Sequence, residues 1–414
     1  MIKLYKHQED ALKATTGKNR VAYYLDMGLG KTFVGSEKMK QLNAPYNMVV
    51  CQKSKIDDWC NHFKEFYPNL KVIKYSKPRE IPPNSVIVIN YDLVWRRTEL
   101  QKLNNFTLML DECTYIKNPT SKRTKFICRK LNFTNIILLS GTPCAGKYEE
   151  LLTQCHLLGW NITKTSFWNT YVKYKNIDMG GFKIPLVLGY KNVDRLKRKL
   201  RELGAVFMKT DDVIELPSQT FIIEKVKSTK DYKTFLRDRL LSIGEKELVG
   251  DTTLTYLLYL RQLSTLYNKN KYDRLKDVLE GTEDRVIIFY NFTQEMENIK
   301  DICDKLKKPV SIINGNQKDL SAYNESMNSV TLVQYQAGAM GLNLQKSNKI
   351  IYFSLTQSSD LFEQSKKRTH RIGQDKKCMY WVLIAENTID ENIYKSLLKR
   401  ENYTNKLFEE DFND

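Results

Sequence analysis

Asp26-Met27-Gly28-Leu29-Gly30-Lys31-Thr32 follows an apolar run, Val21 to Leu25, and leads into a helix-compatible stretch. Glycines at 28 and 30 let backbone N–H groups approach a phosphate, and the start of the following helix favours anions. Lys31 can reach outer phosphates and the Thr32 hydroxyl can ligate Mg²⁺. Leu25 stands where the full GxxxxGK[ST] pattern has its first glycine, so a Gly-rich turn capping a helix is the alternative reading. About 80 residues on, another apolar run ends in Leu110-Asp111-Glu112. A carboxylate at the end of a buried strand can hold Mg²⁺ through Asp111, leaving Glu112 to orient or deprotonate an attacking water. An Asp-Glu pair alone reads equally as a solvated strand end. In this order the two stretches describe two halves of one ATP site.

A third constellation lies far downstream. Between the apolar runs Lys349 to Leu355 and Cys378 to Ile384, a polar segment carries Gln364, Arg368 and Arg371. Spacings of four and three predict a helix with all three side chains on one face. Arginine is always charged and forked, suited to phosphate and to charge developing on a transferring phosphoryl group. A solvated basic helix is the alternative. Ser140-Gly141-Thr142-Pro143 could sense the neighbouring site or be an ordinary strand exit.

These residues need strands to place them. Val21 to Leu25, Asn47 to Cys51, Ser85 to Asn90, Thr107 to Leu110 and Asn135 to Leu139 are near-continuous apolar runs separated mostly by helix-compatible segments. Such alternation predicts a parallel sheet covered on both faces, with ligands at the carboxyl ends of its strands. Five more runs repeat the pattern: Arg285 to Tyr290, Val310 to Asn314, Ser329 to Tyr335, Lys349 to Leu355 and Cys378 to Ile384. The later half has no phosphate loop, so it is expected to supply arginines rather than a second nucleotide site. Gln336, Asn343 and the loop near Asn291 face either a ligand or a structural turn.

The 66 Lys and Arg outnumber the 48 Asp and Glu, a net charge of +18 over 414 residues, which points to a polyanionic partner. If roughly six of these cations meet phosphates, binding falls with salt at a log-log slope of about −5. Eight cysteines contain no CxxC pair, and Cys51, Cys60 and His62 lack zinc-finger spacing, so reduced thiols and a cytoplasmic setting are expected. No signal peptide opens the chain, and no apolar run approaches the ~20 residues of a membrane span.

Taken together and in order, the motifs LYKHQEDAL, DMGLGKT, VVCQKSKIDDW, VIVINYDLV, LDECTYIKNPTSKRTK, LLSGTP, FMKTDDVIELPSQ, VIIFYNF, QAGAMGLNL and QSKKRTHRIGQ resemble a superfamily 2 helicase of the Swi/Snf-type DNA translocase family. DECTYIKNPTSKRTK and RTHRIGQ are the most specific of them. The resemblance covers about residues 2 to 398. It implies an α/β chain of two RecA-like parallel-sheet lobes with helical insertions. The first lobe would span 1–215 with a helical protrusion at about 145–205, and the second 216–414 with a helical insertion at about 230–275. It further implies adenine recognition by Gln8, triphosphate binding by Gly28, Gly30, Lys31 and Thr32, and Mg²⁺ and water at Asp111 and Glu112. Gly341 would approach the ribose, and Arg368 and Arg371 become arginine fingers.

The implied activity is ATP hydrolysis coupled to movement along double-stranded DNA by a monomer, the alternative being a strand-separating DNA or RNA helicase. Several positions depart from the family pattern. Thr114 replaces the His of its DEAH-like box, Gly146 an Asn, Lys209 and Thr210 paired arginines, and Thr356-Gln357-Ser358 a Trp-Asn-Pro. The basic segment KNVDRLKRKLREL reads as a solvated helix or a phosphate-tracking one, and Pro217 as a helix break between the lobes.

Overall fold

A computed structural model describes residues 3–178, 183–213, 215–244, 246–338 and 342–408. The chain divides into two compact units, one of Met1–Glu215 with Asn402–Asp414 and one of Leu216–Glu401. The tail beyond Asn402, expected with the second lobe, is thus grouped with the first unit. There Tyr403 packs edge-on against Tyr190 at 4.8 Å, and its carbonyl accepts the Tyr148 hydroxyl.

The strands of the first unit are β1 (Arg20–Leu25), β2 (Tyr46–Cys51), β3 (Lys71–Lys74), β4 (Ser85–Asn90), β5 (Phe106–Asp111), β6 (Asn135–Leu139), β7 (Val172–Asp178), β8 (Lys183–Tyr190) and β9 (Ala205–Met208). Seven of them form one sheet in the order β3-β4-β2-β5-β6-β1-β9, parallel throughout. Alternate residues feed opposite faces, Ala22 and Tyr24 one core, Val21, Tyr23 and Leu25 the other. Burial on both faces is why these strands read as unbroken apolar runs.

In the second unit the strands are β10 (Gln219–Val226), β11 (Leu240–Ile243), β12 (Lys246–Val249), β13 (Val286–Tyr290), β14 (Val310–Ile313), β15 (Val330–Gln334), β16 (Lys349–Tyr352) and β17 (Cys378–Ala385). A six-stranded parallel sheet runs β10-β17-β16-β13-β15-β14. Ile287, Phe289, Ile350 and Tyr352 face one core, and Val286, Ile288, Tyr290 and Ile351 the other. Each unit is a RecA-like lobe, a doubly covered parallel sheet.

Both expected helical insertions contain a β-hairpin. After the helices Leu152–Leu157 and Lys164–Tyr171, β7 and β8 pair antiparallel before the helix Val193–Glu202; β11 and β12 interrupt the helices Lys230–Asp238 and Thr253–Ser264. Lys173 and Lys175 alternate with Val172 and Tyr174 in β7, and Ile184, Leu186 and Leu188 recur at every second position of β8, the two-residue period of a ribbon, which a helical reading overlooks. The helix Val193–Glu202 is amphipathic, with Leu196, Lys197 and Leu200 buried, so the basic segment is seated by one face.

Candidate nucleotide site

β1 ends at Leu25, whose side chain lies wholly inside the core. The chain then turns through Gly28 at φ +91° and Gly30 at φ +75° into the helix Lys31–Leu42. Both angles lie in the left-handed region that glycine adopts without a Cβ penalty. Leu25 therefore acts as the last core residue of the strand, with Gly28 and Gly30 supplying the turn. Lys31 donates from Nζ to the carbonyls of Leu25 (2.9 Å) and Asp26 (3.3 Å), holding the ammonium over the loop that it closes. Thr32 occupies the first turn of that helix.

Gln8 is buried against the same loop. Its Nε2 donates to the Leu29 carbonyl at 3.1 Å, and its Oε1 accepts the Tyr5 N–H at 3.0 Å. A Cβ on Gly30 would stand 2.2 Å from Gln8 Nε2, so any side chain there would push the Gln8 amide away from the loop.

The acidic pair approaches from β5. Asp111, the last residue of that strand, accepts the Trp59 indole N–H on Oδ2 at 2.9 Å. Its carbonyl accepts the Tyr91 hydroxyl at 2.9 Å. Burial pushes its carboxyl pKa up, opposed by the Trp59 hydrogen bond and the positive charge of Lys31. Glu112 adopts φ +52°, a strained conformation for a residue other than glycine. Ser140 donates from Oγ to Glu112 Oε2 at 3.3 Å, and a Cβ on Gly141 would stand 3.3 Å from Lys31 Nζ. The Ser140-Gly141 turn therefore touches both the acidic pair and the phosphate loop. Gln8, the loop, Lys31, Asp111, Glu112 and this turn converge within one unit.

Sequence reasoning missed two further residues here, Trp59 and Tyr91, and the contact that Thr210 makes. Trp59 and Tyr91 hold Asp111, and Thr210 donates from Oγ1 to Asp26 Oδ2 at 3.0 Å. Trp59 and Tyr91 lie inside the motifs VVCQKSKIDDW and VIVINYDLV, but no spacing rule marked them. Among the described residues no group of three or more His, Cys, Asp or Glu gathers as a metal site. One carboxylate and one hydroxyl nevertheless suit Mg²⁺, which keeps several waters and takes phosphate oxygens beside few protein ligands.

In the second unit the arginine segment departs from expectation. The helix runs only from Ser359 to Lys366, and Arg368 and Arg371 lie in the turns beyond it. The Lys367 N–H still bonds to Glu363 in the helical manner, but the N–H groups of Arg368 and Thr369 then close tighter turns on Ser365 and Lys366, and the regular helix ends there. Lys366, buried against Glu363 at 2.8 Å and Glu401 at 2.6 Å, anchors the helix end. Gln364 is consequently not on a common helix face with the arginines. Arg368 is buried, and its carbonyl accepts the Leu344 N–H at 3.1 Å. Arg371 donates to Asn343 Oδ1, and burial lowers its pKa. Asn291 is committed to structure, donating to Ser354 Oγ and the Leu355 carbonyl. Gly341 lies outside the described residues.

Two RecA-like lobes, one with a phosphate loop and an acidic strand end, define a helicase-like ATPase class. The SNF2-related domain matches residues 24–271 and the helicase conserved C-terminal domain residues 270–373, so the chain belongs to the SNF2-related family. It is 25% identical over 423 residues to the mouse (Mus musculus) SWI/SNF-related matrix-associated actin-dependent regulator of chromatin subfamily A member 1, covering 89% of this chain and 39% of that protein. It is 24% identical to the putative ATP-dependent helicase/translocase YwqA of Bacillus subtilis, covering 93% of this chain and 46% of that one. The chain thus spans about two fifths of the length of the curated relatives it matches. The Sulfolobus solfataricus SWI2/SNF2 ATPase core in complex with dsDNA superposes with a TM-score of 0.47 at 22% identity, over 98% of this chain and 92% of that one.

Proposed function

We propose that the chain is an ATP-driven motor that moves along double-stranded DNA without parting its strands. The observation that carries this reading is the convergence on Lys31 of the phosphate loop, the Asp111-Glu112 strand end and the Ser140-Gly141 turn, in a member of the SNF2-related family. The net charge of +18 supports a polyanionic track.

In this reading the N–H groups around Gly28 and Gly30 bind phosphate oxygens, and Lys31 exchanges its loop carbonyls for the outer phosphates. Gln8 meets the adenine. Thr32 and Asp111 would hold Mg²⁺, which neutralises phosphate charge when bound. Glu112, steadied by Ser140, orients the attacking water and takes its proton. Arg368 and Arg371, from the other lobe, stabilise charge on the transferring phosphoryl group, a contribution worth about 10³- to 10⁵-fold in rate. The boundary between the lobes in the chain would fall near residue 215, and Gly341 would approach the ribose. A monomer working in the cytoplasm fits this reading. Among the described residues no helix is long and apolar enough to cross a membrane.

Measuring ATP turnover in parallel with no nucleic acid, single-stranded DNA, duplex DNA and RNA tests the assignment. Stimulation by duplex DNA, with triplex displacement but no forked-duplex unwinding, is the expected result. Unwinding of the fork would move the assignment to a strand-separating helicase. Lack of turnover under all four conditions would remove the motor reading.

A further inference from the structure

We propose that Trp59 is a positioning residue for the Asp111 carboxylate, fixing which of its oxygens is left to bind Mg²⁺. The inference rests on the reading of Asp111 as a metal ligand and adds a residue to that site.

Trp59 lies in the helix Ile56–Phe66 and is 3% exposed. Its ring stacks on Phe63 at 5.7 Å and meets His62 edge-on at 5.8 Å, so its orientation is set by packing. Indole offers one N–H and no acceptor, and once buried that N–H needs a partner. It finds Asp111 Oδ2 at 2.9 Å, an acceptor whose bond to the indole favours the charged form of the carboxyl. With Oδ2 taken, rotation of the carboxylate is restricted and Oδ1 is left as the ligand oxygen. The Tyr91 hydroxyl holds the Asp111 carbonyl at 2.9 Å from a different element, so the backbone and side chain of this residue are fixed separately. An indole N–H neither ligates a metal nor transfers a proton at neutral pH. What it can do is orient, and partners of this kind alter metal affinity by roughly 10- to 100-fold.

Trp59→Phe removes the N–H and keeps most of the aromatic packing. The test titrates Mg²⁺ into the full chain and follows binding of a fluorescent ADP analogue, with and without chelator. The expected result is an increase of about tenfold in the Mg²⁺ midpoint, with affinity under chelator unchanged. The double variant with Asp111→Ala should shift no further than Asp111→Ala alone, because both act through one carboxylate. An unchanged midpoint in Trp59→Phe, with a raised one in Asp111→Ala, would overturn the positioning role alone. An unchanged midpoint in Asp111→Ala would overturn the reading of the site.

Should the Phe variant fail to fold, the unsubstituted chain labelled with 5-fluorotryptophan provides the second measurement. The Trp59 resonance, assigned by substituting the other four tryptophans in turn, should move when Mg²⁺ is added to the ADP-bound protein. A resonance that does not move counts against the proposal.

Discussion

Thr210 Oγ1 donates to Asp26 Oδ2 at 3.0 Å, tying the exit of β9 to the first residue of the phosphate loop. The Asp26 N–H bonds to the Met208 carbonyl at 2.9 Å, and Asp26 Oδ1 accepts the Met27 N–H at 2.8 Å, so loop and strand end are held at several points. Thr210 is buried, and Thr210→Val would leave a carboxylate oxygen short of a donor at nearly constant volume. The expected cost is about 1–3 kcal/mol of stability, with a several-fold loss of nucleotide affinity. Thr210→Ser should restore most of both. Chemical denaturation and titration with a fluorescent ADP analogue measure them, and full affinity in the Val variant would show that the tie does not shape the loop.

Gly30 carries two demands at once, a positive φ and a Gln8 amide nitrogen 2.2 Å from where a Cβ would sit. Gly30→Ala pays about 1–2 kcal/mol for the left-handed backbone and displaces Gln8 as well. If the loop must recover its shape to bind, nucleotide affinity should fall about 5- to 30-fold, since each 1.4 kcal/mol is a factor of ten. Adding Gln8→Ala should recover stability by removing the clash while leaving the backbone strain. A double variant no more stable than Gly30→Ala would locate the whole cost in the backbone.

Much of this architecture was legible before any coordinates because the inner strands are buried on both faces and read as apolar runs. The three strands that went unread in the two main sheets, β3, β9 and β10, are sheet edges, where burial is partial and the pattern weak. The phosphate loop and the acidic pair were readable because local backbone geometry and strand ends restrict which residues can stand there. Trp59 and Tyr91 reach Asp111 across 52 and 20 residues of sequence, contacts made by tertiary packing alone. The arginine segment was misread for a related reason. Helical spacing continued on paper through Arg371, whereas turns closing on Ser365 and Lys366 ended the helix.

His62 gives a pH dependence with a definite sign. It is packed among Phe33, Phe63, Phe66 and Tyr67, and burial pulls its pKa down to about 4. Its Nε2 lies 2.9 Å from Ser36 Oγ, which donates to the Thr32 carbonyl at 2.8 Å. Because the unfolded chain protonates this ring near pH 6.5 and the folded chain only near 4, the stabilising contribution is complete above about 6.5. It is lost progressively as pH falls toward 4. Thermal unfolding between pH 7.5 and 4.5 should therefore show a steeper fall of Tm for the unsubstituted chain than for His62→Gln. Parallel curves would mean that the ring titrates alike in both states.

Arg368 and Arg371 should separate cleanly. Arg371→Ala removes a half-buried guanidinium that donates to the exposed Asn343, so the fold should tolerate it. If this arginine acts on charge that develops during phosphoryl transfer, nucleotide affinity should change by less than about threefold while kcat falls by about 10³. Lysine should rescue poorly, lacking the planar fork. Arg368 is buried inside the turn that receives the Leu344 N–H, so Arg368→Ala should cost about 2–4 kcal/mol of stability besides lowering turnover. Denaturation curves and single-turnover ATP hydrolysis distinguish the two variants. An equal loss of binding and turnover in Arg371→Ala would contradict a transition-state role and make it a ground-state phosphate contact.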